Sequence, residues 1–145
     1  MDSNLLLKFL LKFLIAFSVG LFVITYVLRV PFIIAGKSEI VNDYYVKNYL
    51  TNIPLDAFFT LCYLLVFGFI GNALKVKKNI QKIFLLAALT SLITGSFCYY
   101  YINNPKKNDL FSTWFNTVGY KSIIYDVMLV VTIYSLMLYL DDYIV

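Results

Sequence analysis

The chain has 145 residues, of which 61% are hydrophobic and 14% are charged, and its formal net charge is +4. Soluble domains are nearer half apolar and a quarter charged, so this composition argues against a water-soluble globular domain. Histidine is absent, which removes the commonest metal ligand and the usual general base near neutral pH. Cys62 and Cys98 form no CxxC pair. We therefore expect no catalytic, cofactor-binding or metal site, and no enzymatic activity.

Four apolar stretches make up most of the chain. Each is close to the ~20 residues that cross a ~30 Å hydrocarbon core as a helix. The predicted spans cover residues 9–28, 53–74, 83–102 and 123–140. The loops between them are too short for a soluble domain. We predict one transmembrane domain over residues 1–145, an all-α, integral membrane four-helix bundle in contact with the lipid bilayer.

A cluster of lysines separates the second and third spans. We call residues 75–82 the lysine turn; it contains Lys75, Lys77, Lys78 and Lys82 and no acidic residue. The positive-inside rule places this turn and both termini on the cytoplasmic side, although the positive charges of the two sides are equal in total. The turn is a candidate contact for anionic lipid or an acidic partner, and the alternative is that its charges only set the topology. Because the lysines lie at span ends, no nucleic-acid binding is expected.

Aromatic residues recur in both loops on the opposite side. Between the first two spans, helical spacing of apolar residues predicts a short interfacial amphipathic helix over residues 39–50, with Ser38 as its N-cap and its tyrosines facing lipid or the bundle. A plain loop is the alternative. Before the fourth span, Asn108 or Asp109 is expected to cap a short helical turn that carries Trp114. Each hairpin therefore has an aromatic interfacial segment.

Small residues recur every fourth position in the third span. Ala87, Ser91 and Gly95 share one helix face, and such a stripe permits close helix packing. The predicted partner is a neighbouring helix of the same chain or, as the alternative, a second copy in a homo-oligomer.

Ionisable residues at membrane depth cost at least a few kcal/mol each and require an explanation. Asp126 is the deepest. Asp56 lies near the start of its span, where a carboxylate also favours the helix dipole. Because Arg29 and Lys121 fall on the same side of the membrane, we predict that Asp126 pairs with one of them in a buried ion-pair cluster that fixes the helix register. A proton or cation relay is the alternative.

A four-residue motif before the fourth span resembles a known ion-channel signature. The segment Thr117-Val118-Gly119-Tyr120 resembles the filter of potassium channels, whose backbone carbonyls replace the hydration shell of the ion. The pattern breaks at Lys121, where that family has a second glycine, and the next span starts almost at once. We interpret the match as a coincidence.

A further resemblance covers more of the chain. The residues that carry it are Trp114-Phe115, Val118-Gly119, Ile124-Tyr125-Asp126-Val127 and Pro54-Leu55-Asp56-Ala57-Phe58-Phe59. They are similar to uncharacterised small four-span membrane proteins of large nucleocytoplasmic DNA viruses. The resemblance implies a viral protein in the internal membrane of a virion, or in the host membrane that supplies it, next to other membrane or capsid proteins. It implies no activity.

Together these features predict a non-enzymatic, polytopic integral membrane protein with a structural or membrane-organising role. The alternative is an oligomeric ion channel or transporter subunit that uses Asp126. Four spans enclose little polar volume, so this alternative requires several copies.

Overall fold

The computed structural model describes residues 3–36 and 39–141, and within these ranges it contains helices and turns but no strand. Two of the helices continue into π-helical turns. The elements are α1 (Ser3–Leu21) with the π-helical turn Phe22–Val27, α2 (Val30–Ile34), α3 (Glu39–Asn42) with the π-helical segment Asp43–Lys47, α4 (Tyr49–Ala73), α5 (Asn79–Asn103), α6 (Leu110–Val118) and α7 (Lys121–Asp141).

Four helical segments are long and apolar enough to cross a membrane, which confirms the predicted all-α, four-span architecture. They are Asn4–Ile34, Tyr49–Ala73, Asn79–Asn103 and Lys121–Asp141. Only 17% to 33% of the residues in their most apolar stretches are buried inside the bundle. The outward surface is therefore hydrophobic, as contact with lipid requires. The chain is a multi-pass membrane protein.

Helix α7 lies at the centre of the bundle. It packs against both α1 and α5, and α4 packs against α5. Val130 and Ile133 of α7 are at most 1% exposed. At Gly20 of α1, an added Cβ would lie 2.9 Å from Cγ1 of Ile133. The absence of a side chain at Gly20 therefore allows the first and fourth spans to approach closely.

The buried face of α5 is offset by one residue from the predicted small-residue stripe. Ala87, Ser91 and Gly95 are half-buried, and a Cβ at Gly95 would only reach ordinary contact, 3.5 Å from Ile123 Cδ1. The side chains that are buried against the neighbouring helices are Leu86, Thr90, Thr94 and Cys98. The stripe borders the contact with α7, whereas the adjacent face, with two threonines, forms its interior.

The loop between the first two spans is helical in short pieces and not as one continuous helix. The π-helical segment 43–47 ends at Asn48, where φ is −111° and ψ is 26°. Tyr44 and Tyr45 are 6% and 2% exposed, so these tyrosines face the bundle. Tyr49 is exposed. The predicted N-cap, Ser38, lies outside the described residues.

The second aromatic segment forms α6. The Asp109 side chain accepts a hydrogen bond of 2.8 Å from the backbone N–H of Ser112 and so caps the helix, as predicted. Gly119 ends it with φ 64° and ψ −151°, a backbone conformation that is essentially restricted to glycine. Thr117 and Val118 are helical. This glycine therefore makes a turn into α7, and the segment is not an extended, carbonyl-lined filter.

Candidate functional site: a carboxylate and aromatic cavity

The two intramembrane carboxylates of the even spans meet at one cavity. Asp56 of α4 and Asp126 of α7 both line a space of about 120 Å³ at the end of the bundle opposite the lysine turn. One water molecule needs roughly 10–15 Å³ by the same measure, so several waters or a small ligand group fit. None of the described residues that line the cavity is basic.

Asp126 accepts a hydrogen bond at the end of a hydroxyl chain. The Thr94 hydroxyl donates to Asp126 Oδ2 over 2.6 Å, and the Tyr63 hydroxyl lies 2.8 Å from Thr94 Oγ1. Since the single hydroxyl proton of Thr94 is used for the carboxylate, Tyr63 donates to Thr94. The hydrogen-bonded series of Tyr63, Thr94 and Asp126 therefore links α4, α5 and α7 at membrane depth.

Asp56 has one oxygen bonded and one oxygen free. The Tyr44 hydroxyl donates to Asp56 Oδ1 over 2.7 Å. Burial raises the pKa of Tyr44 above its ordinary value, so this phenol remains a protonated donor. Asp56 Oδ2 is buried and has no hydrogen-bond partner among the described residues. A buried carboxylate oxygen without a partner costs free energy unless a ligand satisfies it.

Aromatic rings form a continuous wall beside the carboxylates. Trp114 of α6 lies 5.2 Å from Tyr44 and 6.1 Å from Tyr45, and Tyr45 lies 5.8 Å from Tyr125, between ring centroids. All four rings line the cavity and are at most 8% exposed. We call Tyr44, Tyr45, Trp114 and Tyr125 the aromatic wall. The Tyr125 hydroxyl is 2.9 Å from Thr25 Oγ1, which fixes the ring against the first span.

The second aromatic segment, α6, is held in place by ring contacts with α5 and α4. Tyr101 of α5 stacks on Phe115 of α6 at 5.7 Å and an interplanar angle of 12°. Phe111 of α6 meets Phe59 of α4 edge-on at 5.6 Å. These contacts join α6 to α5 and to α4. Phe97 of α5 lines the cavity and is 43% exposed.

The structure corrects the predicted ion-pair cluster. Arg29 is exposed, and its guanidinium lies 5.1 Å from the centroid of the Phe32 ring. Lys121 is exposed at the first residue of α7. The salt bridges among the described residues are Lys12–Asp141 and Lys47–Asp43. Asp126 is therefore paired with neither predicted cation; its partner is a threonine hydroxyl.

The backbone conformation at Arg29 explains why this residue does not pair with Asp126. This residue has φ 53° and ψ 34°, in the left-handed region, and it separates the first span from α2. The break turns the side chain toward the surface. The prediction grouped Arg29 and Asp126 because they lie on the same side of the membrane, but the direction of a side chain depends on backbone geometry that the sequence does not reveal.

The lysine turn lies at the other end of the molecule. Lys75, Lys77 and Lys78 are exposed, and Lys82 is half-buried. None of these four lysines lines the cavity, and contact of the turn with a membrane surface or a partner stays a prediction.

The functional residues that the sequence prediction missed are uncharged. The sequence predicts an interfacial helix for Tyr44 and Tyr45 and an interfacial turn for Trp114, and it indicates no role for Thr94 or Tyr63. The available signal was the repeated order of an aromatic segment followed by a span with an early acid, at Asp56 and Asp126. That repetition indicates that both acids lie just below aromatic residues.

Comparisons with known proteins identify no relative. No family profile, no curated protein and no solved structure matches the chain.

Proposed function

We propose that this multi-pass membrane protein is a non-enzymatic binding protein that takes a positively charged ligand group into the cavity at Asp56 and Asp126. The observation that carries the proposal is the composition of the lining: it has two carboxylates and, among its described residues, no basic side chain. The proposal replaces the predicted ion pair with a cation that comes from outside the chain.

The energetics favour a cation as the missing component. Ionised groups inside a membrane cost several kcal/mol unless they are paired, and paired or cavity-facing carboxylates in spans mark cation and substrate sites. Asp56 Oδ2 is buried without a partner. A bound cation would offset the cost of desolvating both carboxylates. An anionic ligand would add to this cost, and a neutral ligand would supply hydrogen bonds but no compensating charge.

The site also bears on the transporter alternative. The cavity is built from the elements of a single chain, so cation binding does not require the several copies that a pore would need. A structural role in membrane organisation is compatible with binding, and the sequence resemblance favours an internal virion membrane or a host membrane as the setting.

Thermal unfolding of the purified full chain in an uncharged detergent tests the proposal. A ligand that binds only the folded state at 100 times its Kd adds about 2.7 kcal/mol, which is roughly 5–10 °C for a chain of this size. We expect such a saturable rise in Tm with at least one chloride salt in a series of sodium, potassium and tetramethylammonium.

The matched variants separate specific binding from general salt effects. The double variant Asp56→Asn/Asp126→Asn should lose the saturable response. Asp141→Asn makes the same chemical change at an exposed carboxylate outside the cavity and should keep it. If the double variant responds like the wild type, or if no cation produces a saturable rise in the wild type, the proposed function is wrong.

A further inference from the structure

We infer that the ligand group is an organic ammonium, either a small alkylammonium ion or the ammonium of a lipid headgroup, held against the aromatic wall. This inference rests on the proposed cation-binding function and specifies its ligand class. It depends on the rings beside the carboxylates, which an inorganic ion would not use.

The aromatic wall has the composition that recognises alkylated ammonium groups. Cations are attracted to the faces of tryptophan and tyrosine within about 6 Å of the ring centroid, and recognition of quaternary ammonium by such cages is a recurrent use of this attraction. Trp114, Tyr44 and Tyr45 form a mutually contacting group with centroid distances of 4.7 to 6.1 Å. Tyr125 extends the group toward the neighbouring Asp126.

The charge of the cavity complements the rings. The Tyr44 hydroxyl donates a hydrogen bond to Asp56 Oδ1. Asp56 Oδ2 has no hydrogen-bond partner among the described residues. An ammonium group at the aromatic wall would therefore face a carboxylate with an unused oxygen. A hydrophobic cavity without carboxylates would not select for charge, and carboxylates without rings would not select for alkyl substituents.

A metal ion fits this lining less well. Calcium takes six to eight oxygen ligands and magnesium demands near-ideal octahedral geometry. Within the described residues, no three acidic, cysteine or histidine side chains group together in a way that could hold a metal ion. Apart from the hydroxyl groups of Thr60 and the tyrosines, the remaining lining is aromatic and aliphatic carbon, which suits an alkylated ammonium better than a bare ion.

Two sources could supply the ammonium group. Phe97 lines the cavity and is 43% exposed on the lipid-facing side of α5. A choline or ethanolamine headgroup of a lipid would reach the cavity along this side, and a free amine would reach it from the aqueous phase. Both present the same chemical group to the rings.

Equilibrium dialysis of labelled tetramethylammonium against the full chain in an uncharged detergent tests the ligand class. We expect saturable binding of one ion per chain, displaced by choline and at least tenfold more weakly by potassium. The neutral isostere of choline, 3,3-dimethylbutan-1-ol, should not displace it. Equal displacement by this alcohol would overturn the inference, because the site would then select shape and not charge.

Substitutions at Trp114 test the aromatic contribution. Trp114→Leu should weaken binding roughly tenfold, and Trp114→Phe, which keeps a ring with a weaker face, should fall between leucine and the wild type. Tyr120→Leu removes an exposed ring outside the cavity and should bind normally. Helical ellipticity establishes that each variant is folded. Wild-type affinity in a folded Trp114→Leu variant would refute the inference.

The outcomes distinguish this inference from the proposed function. If potassium or sodium raises Tm through Asp56 and Asp126 while tetramethylammonium does not bind, the ligand class is wrong and the cation site stands. If no cation binds, both are wrong. Reconstitution assigns the source: reduced tetramethylammonium binding in phosphatidylcholine bilayers, compared with neutral galactolipid bilayers, supports a headgroup ligand, and equal binding supports a free amine.

Discussion

Replacing Gly20 with alanine tests the closest approach of two spans in the bundle. The new Cβ would lie 2.9 Å from Cγ1 of Ile133, 3.7 Å from its backbone nitrogen and 3.8 Å from its Cα. Carbon atoms prefer separations of about 3.5–4.0 Å, so the new Cβ would be about 0.6–1.1 Å too close to a side chain that is 0% exposed. Either Ile133 must leave its position or α1 must move away from α7.

The cost follows from two opposing effects. Overpacking of a filled core costs about 1–3 kcal/mol, whereas alanine in place of glycine in a helix gains up to about 1 kcal/mol. Gly68→Ala is the matched control, because it makes the same change in α4, where an added Cβ meets nothing within 4 Å. The propensity gain cancels between the two variants. We expect Gly20→Ala to be about 1–3 kcal/mol less stable than Gly68→Ala.

Titration with sodium dodecyl sulfate in mixed micelles, followed by helical ellipticity, measures both free energies of unfolding. The Ile133→Ala variant lacks the clashing Cγ1. In this background Gly20→Ala should therefore lower the free energy of unfolding by less than it does in the wild type. Equal stabilities of Gly20→Ala and Gly68→Ala would show that α1 and α7 are not in the described contact, and the central position of α7 would then have to be abandoned.

Two further predictions concern polar groups inside the bundle and its outer turn. Thr94→Val removes the hydrogen bond to Asp126 and should lower the free energy of unfolding by about 1–3 kcal/mol. Thr90→Val, one turn away, removes a buried hydroxyl without a partner among the described residues and should be neutral or stabilising. If the same titration shows that both variants are destabilised equally, this prediction is wrong. Gly119→Ala should cost about 1–3 kcal/mol, because its backbone conformation is essentially restricted to glycine; a wild-type melting temperature for this variant would show that the turn is not strained.

The spans could be predicted because hydropathy is a local property. Each helix carries enough apolar residues to identify itself, and the observed bounds differ from the predicted ones mainly by continuing into polar residues, as at Tyr49–Ala73 and Asn79–Asn103. The N-cap at Asp109 was also predictable, since a capping side chain acts within three residues.

The cavity could not be predicted in the same way, because it depends on which helices are neighbours. The sequence placed Asp126 and Asp56 on one side of the membrane but could not place them at one cavity, which needs α4 and α7 to converge. It also proposed the wrong partner for Asp126. Arg29 was predicted as the partner because of its opposite charge. The observed partner is Thr94 on the buried face of α5, whose Oγ1 lies 2.6 Å from Asp126 Oδ2, and an uncharged hydroxyl donor cannot be identified from charge alone.

The position of the carboxylates explains why the outer segments are aromatic. Each acid occurs early in an even span, and both line the cavity that the preceding segments help to form. Tyr44 binds Asp56 directly, and Trp114 of α6 packs on Tyr44. Tyrosine and tryptophan can face a polar cavity with one edge and lipid or protein with the other. Aliphatic residues in these segments would cover the carboxylates without a hydrogen-bond donor or an attractive ring face. The same residues therefore enclose the cavity beside both carboxylates, and under the proposed function they would favour a positively charged ligand.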